Sequence, residues 1–281
     1  DVSAYVPSGT TGVIVQFSNA NTVEDWDYGI RELGSSDPWR NNGSRKDFQG
    51  WLATGVDANR KFELYQQSTD IKTYLMGYTM GGVTFFTNRI DKNAPAGWSI
   101  VDISGDTGGD TAIGAVFTVC NEAGGARGYT VQMNGSTDNR TTDIRSSTCQ
   151  VAIIGVDGSE QAQVYLEDTS LKLYLQGYIT SGAVFFTNAK NYSTGTTSSY
   201  QLVDITGDLG SDDANGAFIE ICNSTNDWYD VAVKMNGQGH DYYRDVGHNF
   251  TFVGIDTDDI FLQKIQNTFM DLYLTGYSLA Q

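Results

Sequence analysis

Apolar and polar residues alternate along this chain in short blocks. In GAVFTVCN (Gly114–Asn121), Ala115, Phe117 and Val119 fall on one side, and Val116, Thr118 and Cys120 on the other. Alternation at period two is the pattern of a half-buried β-strand. The block recurs as GVIVQFSN (Gly12–Asn19) and GAFIEICN (Gly216–Asn223). It predicts one core face, with Val13, Val15 and Phe17 in the first copy and Ala217, Ile219 and Ile221 in the third. The other face is mixed: Ile14, Gln16 and Ser18; Val116, Thr118 and Cys120; Phe218, Glu220 and Cys222. We expect that face to be partly wet. Clusters such as NEAGGARG and NGSTDNRTTD separate the blocks and read as turns. No stretch has the period of an amphipathic helix.

The blocks belong to longer repeats. GVD at Gly55–Asp57 returns at Gly155–Asp157 and as GID at Gly254–Asp256. Each is followed by a copy of Tyr-Leu-x-Gly-Tyr, and from Asp to last Tyr the distance is 21 residues every time: 57 to 78, 157 to 178, 256 to 277. GGVTFFTN (Gly81–Asn88) matches SGAVFFTN (Ser181–Asn188), and WSIVDISGD (Trp98–Asp106) matches YQLVDITGD (Tyr200–Asp208). The first repeat has no FFTN segment, and its opening AYVPSG reads as a remnant of the VDISGD element. The prediction is an all-β chain of three tandem β-sandwich modules, Ig-like or jelly-roll-like, over 1–78, 79–178 and 179–281, the first one incomplete.

Alternation through the closing strand puts Leu171, Leu173, Leu175 and Gly177 toward the core. Tyr174 and Tyr178 then face outward, with Tyr74, Tyr78, Tyr273 and Tyr277 as their counterparts. Core packing does not explain tyrosines on a polar face, so contacts between modules or subunits are expected there. The glycine is expected to clear room for a large neighbour such as Trp98.

Charge changes the list of partners. The 281 residues carry a net charge of −17, spread along the chain. Such a surface repels nucleic acid and anionic membranes. No apolar run approaches the roughly 20 residues of a membrane-spanning helix. Cys120, Cys149 and Cys222 are odd in number, which argues against a full disulfide framework. Cys120 and Cys149 could pair; unpaired thiols are the favoured reading.

Candidate chemistry is sparse. Asp102, Asp106 and Asp110 recur at the same spacing as Asp204, Asp208 and Asp212. Carboxylates in Gly-rich loops are Ca2+ chemistry, but the pattern is not an EF-hand loop, and turn formation is favoured over a cofactor. Neither His240 nor His248 has a counterpart in the other modules, and no nucleophile elbow or zinc motif occurs. Any acidic protein contains carboxylate pairs, so these alone are no signal for glycoside cleavage. Trp228 and Tyr229, and Tyr242 and Tyr243, stand in polar loops, where aromatic side chains stack on sugars or fill interfaces.

Taken together, WSIVDISGDTGGDTAIGAVFTVCN, VQMNGSTDNR, IIGVD and LYLQGY resemble the β-sandwich modules repeated in structural proteins of tailed phages, especially marine ones. The resemblance covers modules two and three nearly end to end. Two features depart from it: Met133 and Met235 stand where that pattern often has Arg, and the acidic loops are this chain's own. The resemblance implies a non-enzymatic virion surface protein, a head decoration or head-fibre protein. Its partners would be capsid or other virion proteins, and it would assemble as a homo-oligomer such as a trimer. The alternative is a tail fibre or extracellular adhesin whose modules bind a host surface glycan.

Overall fold

The structure, a computed structural model, describes residues 1–38, 41–44, 46–210, 212–225, 227–239 and 243–280, with the backbone alone for 41–44. Module one contributes β1 (Gly12–Asn19), β2 (Trp26–Glu32), β3 (Asn41–Ser44), β4 (Phe48–Gly55), β5 (Phe62–Gln66) and β6 (Ile71–Thr79). Module two contributes β7 (Val83–Asp91), β8 (Gly97–Asp102), β9 (Gly114–Asn121), β10 (Arg127–Met133), β11 (Thr142–Ile144), β12 (Thr148–Gly155), β13 (Gln161–Leu166) and β14 (Leu171–Ile179). Module three contributes β15 (Ala183–Asn191), β16 (Gln201–Asp204), the short helix α1 (Thr206–Leu209), β17 (Ala214–Asn223), β18 (Tyr229–Met235), β19 (Arg244–Val246), β20 (Asn249–Gly254), β21 (Ile260–Ile265) and β22 (Met270–Leu279).

Strand order decides between the two predicted sandwiches. In module two, the sheet β12-β9-β14-β7 packs on β11-β10-β13-β8, which is jelly-roll connectivity. Module three repeats it with β15-β22-β17-β20 and β16-β21-β18-β19. Among the described residues, module one keeps β4-β1-β6 and β3-β2-β5, with no strand at the places of β7 and β8. The chain enters at the place where the other modules leave β8 and β16. Val2 N–H donates to Arg60 O at 3.0 Å, as Ile103 does to Glu160 O at 3.1 Å and Ile205 to Asp259 O at 3.2 Å. Tyr5 N–H donates to Val2 O as Asp106 N–H does to Ile103 O, so Asp1–Tyr5 stand where Asp102–Asp106 stand, and the match to VDISGD begins ahead of AYVPSG and overlaps it at Ala4 and Tyr5.

The constant spacing of 21 has a local cause. Asp157 Oδ1 accepts from Ser159 N–H at 2.8 Å and Gln161 N–H at 3.0 Å, fixing the turn into β13. Asp57 and Asp256 hold the same turn in their own modules. One turn, one strand, one hairpin and one closing strand then follow without insertion.

The expectation of a partly wet face is corrected. All eight residues of β1 and of β9 are buried, and so are the last eight of β17. The first face fills the module's own core as expected. The second face is covered by the other modules, which close around one another in a ring. Tyr28 hydroxyl of module one donates to Cys149 O of module two at 3.5 Å. The equivalent Tyr129 hydroxyl of module two donates to His248 O of module three at 3.3 Å. Val231 O of module three, again the equivalent residue, accepts from Gln49 Nε2 of module one at 2.6 Å. Gln49, Cys149 and His248 are themselves equivalents, so one contact runs round the ring. A parallel bridge between Asp245 and Phe48 joins module three to module one as a seven-stranded sheet.

Cys120 and Cys149 stand directly opposite in the β9–β12 ladder and are disulfide-bonded, against the favoured reading of free thiols; Cys222 is a buried free thiol. Directly opposed residues of neighbouring strands bring their Cβ atoms within reach of such a bond.

Candidate docking surface

The closing strand departs from simple alternation. β14 and β22 each carry a register shift just before the glycine, between Leu175 and Gly177 and opposite Phe218/Ile219. A bulge adds one residue and reverses which face the following side chains take. Tyr178 and Tyr277 therefore join their module cores, 5% and 3% exposed, instead of facing outward. Tyr178 hydroxyl donates to Asp110 Oδ2 at 2.9 Å and Tyr277 hydroxyl to Asp212 Oδ2 at 2.7 Å. Burial, and then the Asp212 carboxylate, push the Tyr277 hydroxyl up to about 12. Gly177 does not clear room for Trp98, which is 44% exposed and lies against Tyr165. A Cβ there would stand 2.3 Å from Thr84 O, the backbone of β7. Gly276 is held the same way, 2.4 Å from Val184 O of β15.

Tyr174 and Tyr273, ahead of the bulge, lie at junctions between modules. The Arg89 guanidinium sits 4.0 Å from the centre of the Tyr174 ring, and its backbone N–H donates to Asp37 Oδ2 of module one. The Arg140 guanidinium of module two sits 5.3 Å from the Tyr273 ring of module three. Cations over aromatic faces are favourable and help order both partners.

Arg140 also anchors a buried polar network that no sequence pattern marked. Its Nε donates to Glu220 Oε2 at 2.6 Å, its Nη1 pairs with Asp138, and His248 Nε2 lies 2.8 Å from Glu220 Oε1. His248 Nδ1 lies 3.3 Å from Thr142 O, and the ring stacks on Tyr129 at 4.2 Å. Among the described residues, Glu220, Cys222 and His248 form the one group of three such side chains with ligand atoms within 4.8 Å. Both Glu220 oxygens are already engaged, and burial pushes the Cys222 thiol well up, so it keeps its proton. These residues read as a lock between modules two and three, not as a metal centre. The signal in the sequence was the lone Glu in the middle of an apolar strand.

The six loop aspartates do not converge. Asp102 and Asp204 each accept from a residue two positions on, Ser104 N–H at 2.9 Å and Thr206 N–H at 2.9 Å. Asp106 pairs with Lys92, Asp208 with Tyr192 hydroxyl at 2.7 Å and Lys190 at 3.4 Å, and Asp110 and Asp212 with the closing tyrosines. Among the loop aromatics, Trp228 lies under the Arg145 guanidinium at 4.1 Å. Tyr229 lies against Phe269, and Tyr243 under Lys264 Nζ at 4.0 Å. Tyr242 lies outside the described residues.

The remaining tyrosines, Tyr74 and Tyr78, line a groove. Tyr78 is 46% exposed where its two equivalents are buried. The groove, about 630 Å³, runs along the outer edge of β6 toward Phe218 and Phe252 of module three. It is apolar on its floor and carries Lys234 and Tyr200 at its side.

No family model matches the chain, and no curated protein matches it. A solved structure described as "The Triple Jelly Roll Fold and Turret Assembly in an Archaeal Virus" aligns with 98% of this chain and 80% of its own, at 9% identity and a TM-score of 0.22. A likeness of that degree carries no weight for function. Among the described residues, no helix is long and apolar enough to cross a membrane.

Proposed function

We propose that the chain is a non-enzymatic structural protein of a virus particle, carried on its surface as a head decoration or head-fibre protein. The observation that supports this reading is the ring. Three modules on one polypeptide meet through equivalent positions at all three junctions, Tyr28 with Cys149, Tyr129 with His248 and Val231 with Gln49. Such a ring places on one polypeptide the cyclic arrangement that closed homo-oligomers build from separate subunits. Its polar side chains are engaged within the fold: the loop aspartates cap turns or bind tyrosines of their own modules, and Arg140 and Arg145 of module two reach Glu220 and Trp228 of module three. The acidic exterior keeps such a particle coat soluble.

The test is quantitative mass spectrometry of purified particles from the source culture. A fixed ratio of this chain to the major capsid subunit, kept through a density gradient, is expected. Absence from the particles overturns the proposal.

A further inference from the structure

Module two leaves one strip of side chains open. On the outward face of its second sheet, β8 and β13 set residues directly opposite one another: Trp98 against Tyr165, Ile100 against Gln163 and Asp102 against Gln161. β10 continues the rows, with Thr130 beside Tyr165 and Gln132 beside Gln163. Val101, Val164 and Val131 alternate with these residues and fill the core. Trp98 and Ile100 are exposed, and Tyr165 and Gln163 are half-buried.

The strip joins apolar rings to neutral amides. The Trp98 and Tyr165 rings stand 5.5 Å apart, tilted by 55°. In the next row Gln132 Nε2 donates to Gln163 Oε1 at 3.2 Å. That bond holds Gln163 by its oxygen and leaves its nitrogen to donate. Gln132 is 3% exposed, and its Oε1 is buried without a hydrogen-bond partner. The pair therefore keeps a donor and an acceptor in hand.

The fold does not require these residues, because the other modules build the same place differently. In module one the equivalents of Gln132 and Gln163 are Arg31 and Glu63, which form an ion pair. In module three the equivalents of Gln132 and Tyr165 are Lys234 and Lys264. Both lie over the Tyr200 ring, the equivalent of Trp98, at 4.0 and 5.6 Å. Those two faces satisfy themselves; the face of module two does not.

We infer that this strip binds a neutral oligosaccharide. A pyranose ring presents C–H groups on its face and hydroxyls around its edge. The C–H face would lie on Trp98 and Ile100, since aromatic side chains offer an apolar surface with a polar rim. The hydroxyls would meet the two glutamines, because a hydroxyl both donates and accepts, as this amide pair demands. A hydroxyl at Gln132 Oε1 also relieves an acceptor that is costly to bury alone. Asp102 at the end of the strip and the net charge of −17 work against sialylated or sulfated chains. This site stands on module two alone and does not depend on the virion reading.

The test applies the full chain to an array of neutral, sialylated and sulfated glycans, then titrates the strongest neutral binder as a free oligosaccharide by calorimetry. Binding confined to neutral glycans is expected. Trp98→Ala should weaken it at least about tenfold, and Trp98→Phe, which keeps a ring, distinctly less. Gln163→Ala should weaken it by about fivefold or more. Leu202→Ala, at the place of Ile100 in module three, should leave it unchanged. Thermal denaturation checks that each variant is folded; Trp98→Phe and Gln163→Ala carry the test if Trp98→Ala is not. Failure to bind any neutral glycan overturns the inference, as does binding that survives both Trp98→Ala and Gln163→Ala. Binding of sialylated or sulfated glycans alone would move the site to the lysines of module three and equally overturn it.

Discussion

Gly77, Gly177 and Gly276 hold one place in three copies of a strand, and their surroundings differ. Backbone carbonyls crowd Gly177 and Gly276, whereas the nearest atoms to a Cβ on Gly77 belong to the Phe252 ring at 3.1 Å. A carbonyl inside a ladder cannot yield; a half-buried ring can. Gly177→Ala should therefore cost about 1–3 kcal/mol by overpacking, and Gly77→Ala distinctly less. Thermal denaturation of the two variants compares them, and equal losses would count against this account. The sequence announced that the position must be small. It did not announce the bulge, because a single extra residue leaves the letters unchanged while reversing the face of all that follows. That is why Tyr178 and Tyr277 read as outward and are core.

At the scale of the element, the central strands β1, β9 and β17 were legible in extent and in their core face. Their second face was misread because polarity was taken for wetness. Gln16 is buried and donates to Gln49 Oε1 at 2.9 Å; Glu220 is buried against Arg140 and His248. Polar residues on a covered face mark specific partners, not water. Arg140 is 8% exposed and Glu220 fully buried. Arg140→Ala leaves Glu220 without its guanidinium and should cost about 3–5 kcal/mol in urea unfolding. Adding Glu220→Gln to that variant should restore part of the loss, since the neutral side chain costs less to bury. A loss below about 1 kcal/mol would place the pair among solvent-screened contacts.

For the whole molecule, the repeat carries the expectation of three modules, but not of the ring. Ring contacts join equivalent places in different modules through unlike residues, so no pattern within one module reveals them. The disulfide was hidden for a related reason: its partners become neighbours only once strand register is known. Where module three meets module one, Asp230, Asp245 and Asp47 lie close together, with Arg145 and Arg244 among them. Partial burial, then the Asp245 and Asp47 carboxylates, raise the Asp230 carboxyl to about 6 from its usual 3.8. A raised carboxyl holds its proton better in the folded state. Its contribution to stability is whole below pH ~4 and is lost as pH rises through ~6. Asp230→Asn should therefore stabilise the chain at pH ~7.5 by about 1 kcal/mol, allowing for solvent screening, and change little at pH ~3.5. Denaturant midpoints at the two pH values check this; an equal shift at both would rule out titration as the cause.

Gln49, Cys149 and His248 stand at one position in three modules, where a ring of identical subunits would have to repeat a single residue. Here the first is an amide reaching Val231 O, the second is tied into a disulfide, and the third is an imidazole beside a carboxylate. Gln49 and His248 reach a neighbouring module with their side chains, at Val231 O and Thr142 O, whereas Cys149 turns back to Cys120 of its own module and offers its neighbour only a backbone carbonyl. A module that strayed into a neighbour's seat, in its own molecule or in another, would find a backbone that fits and a side chain that does not.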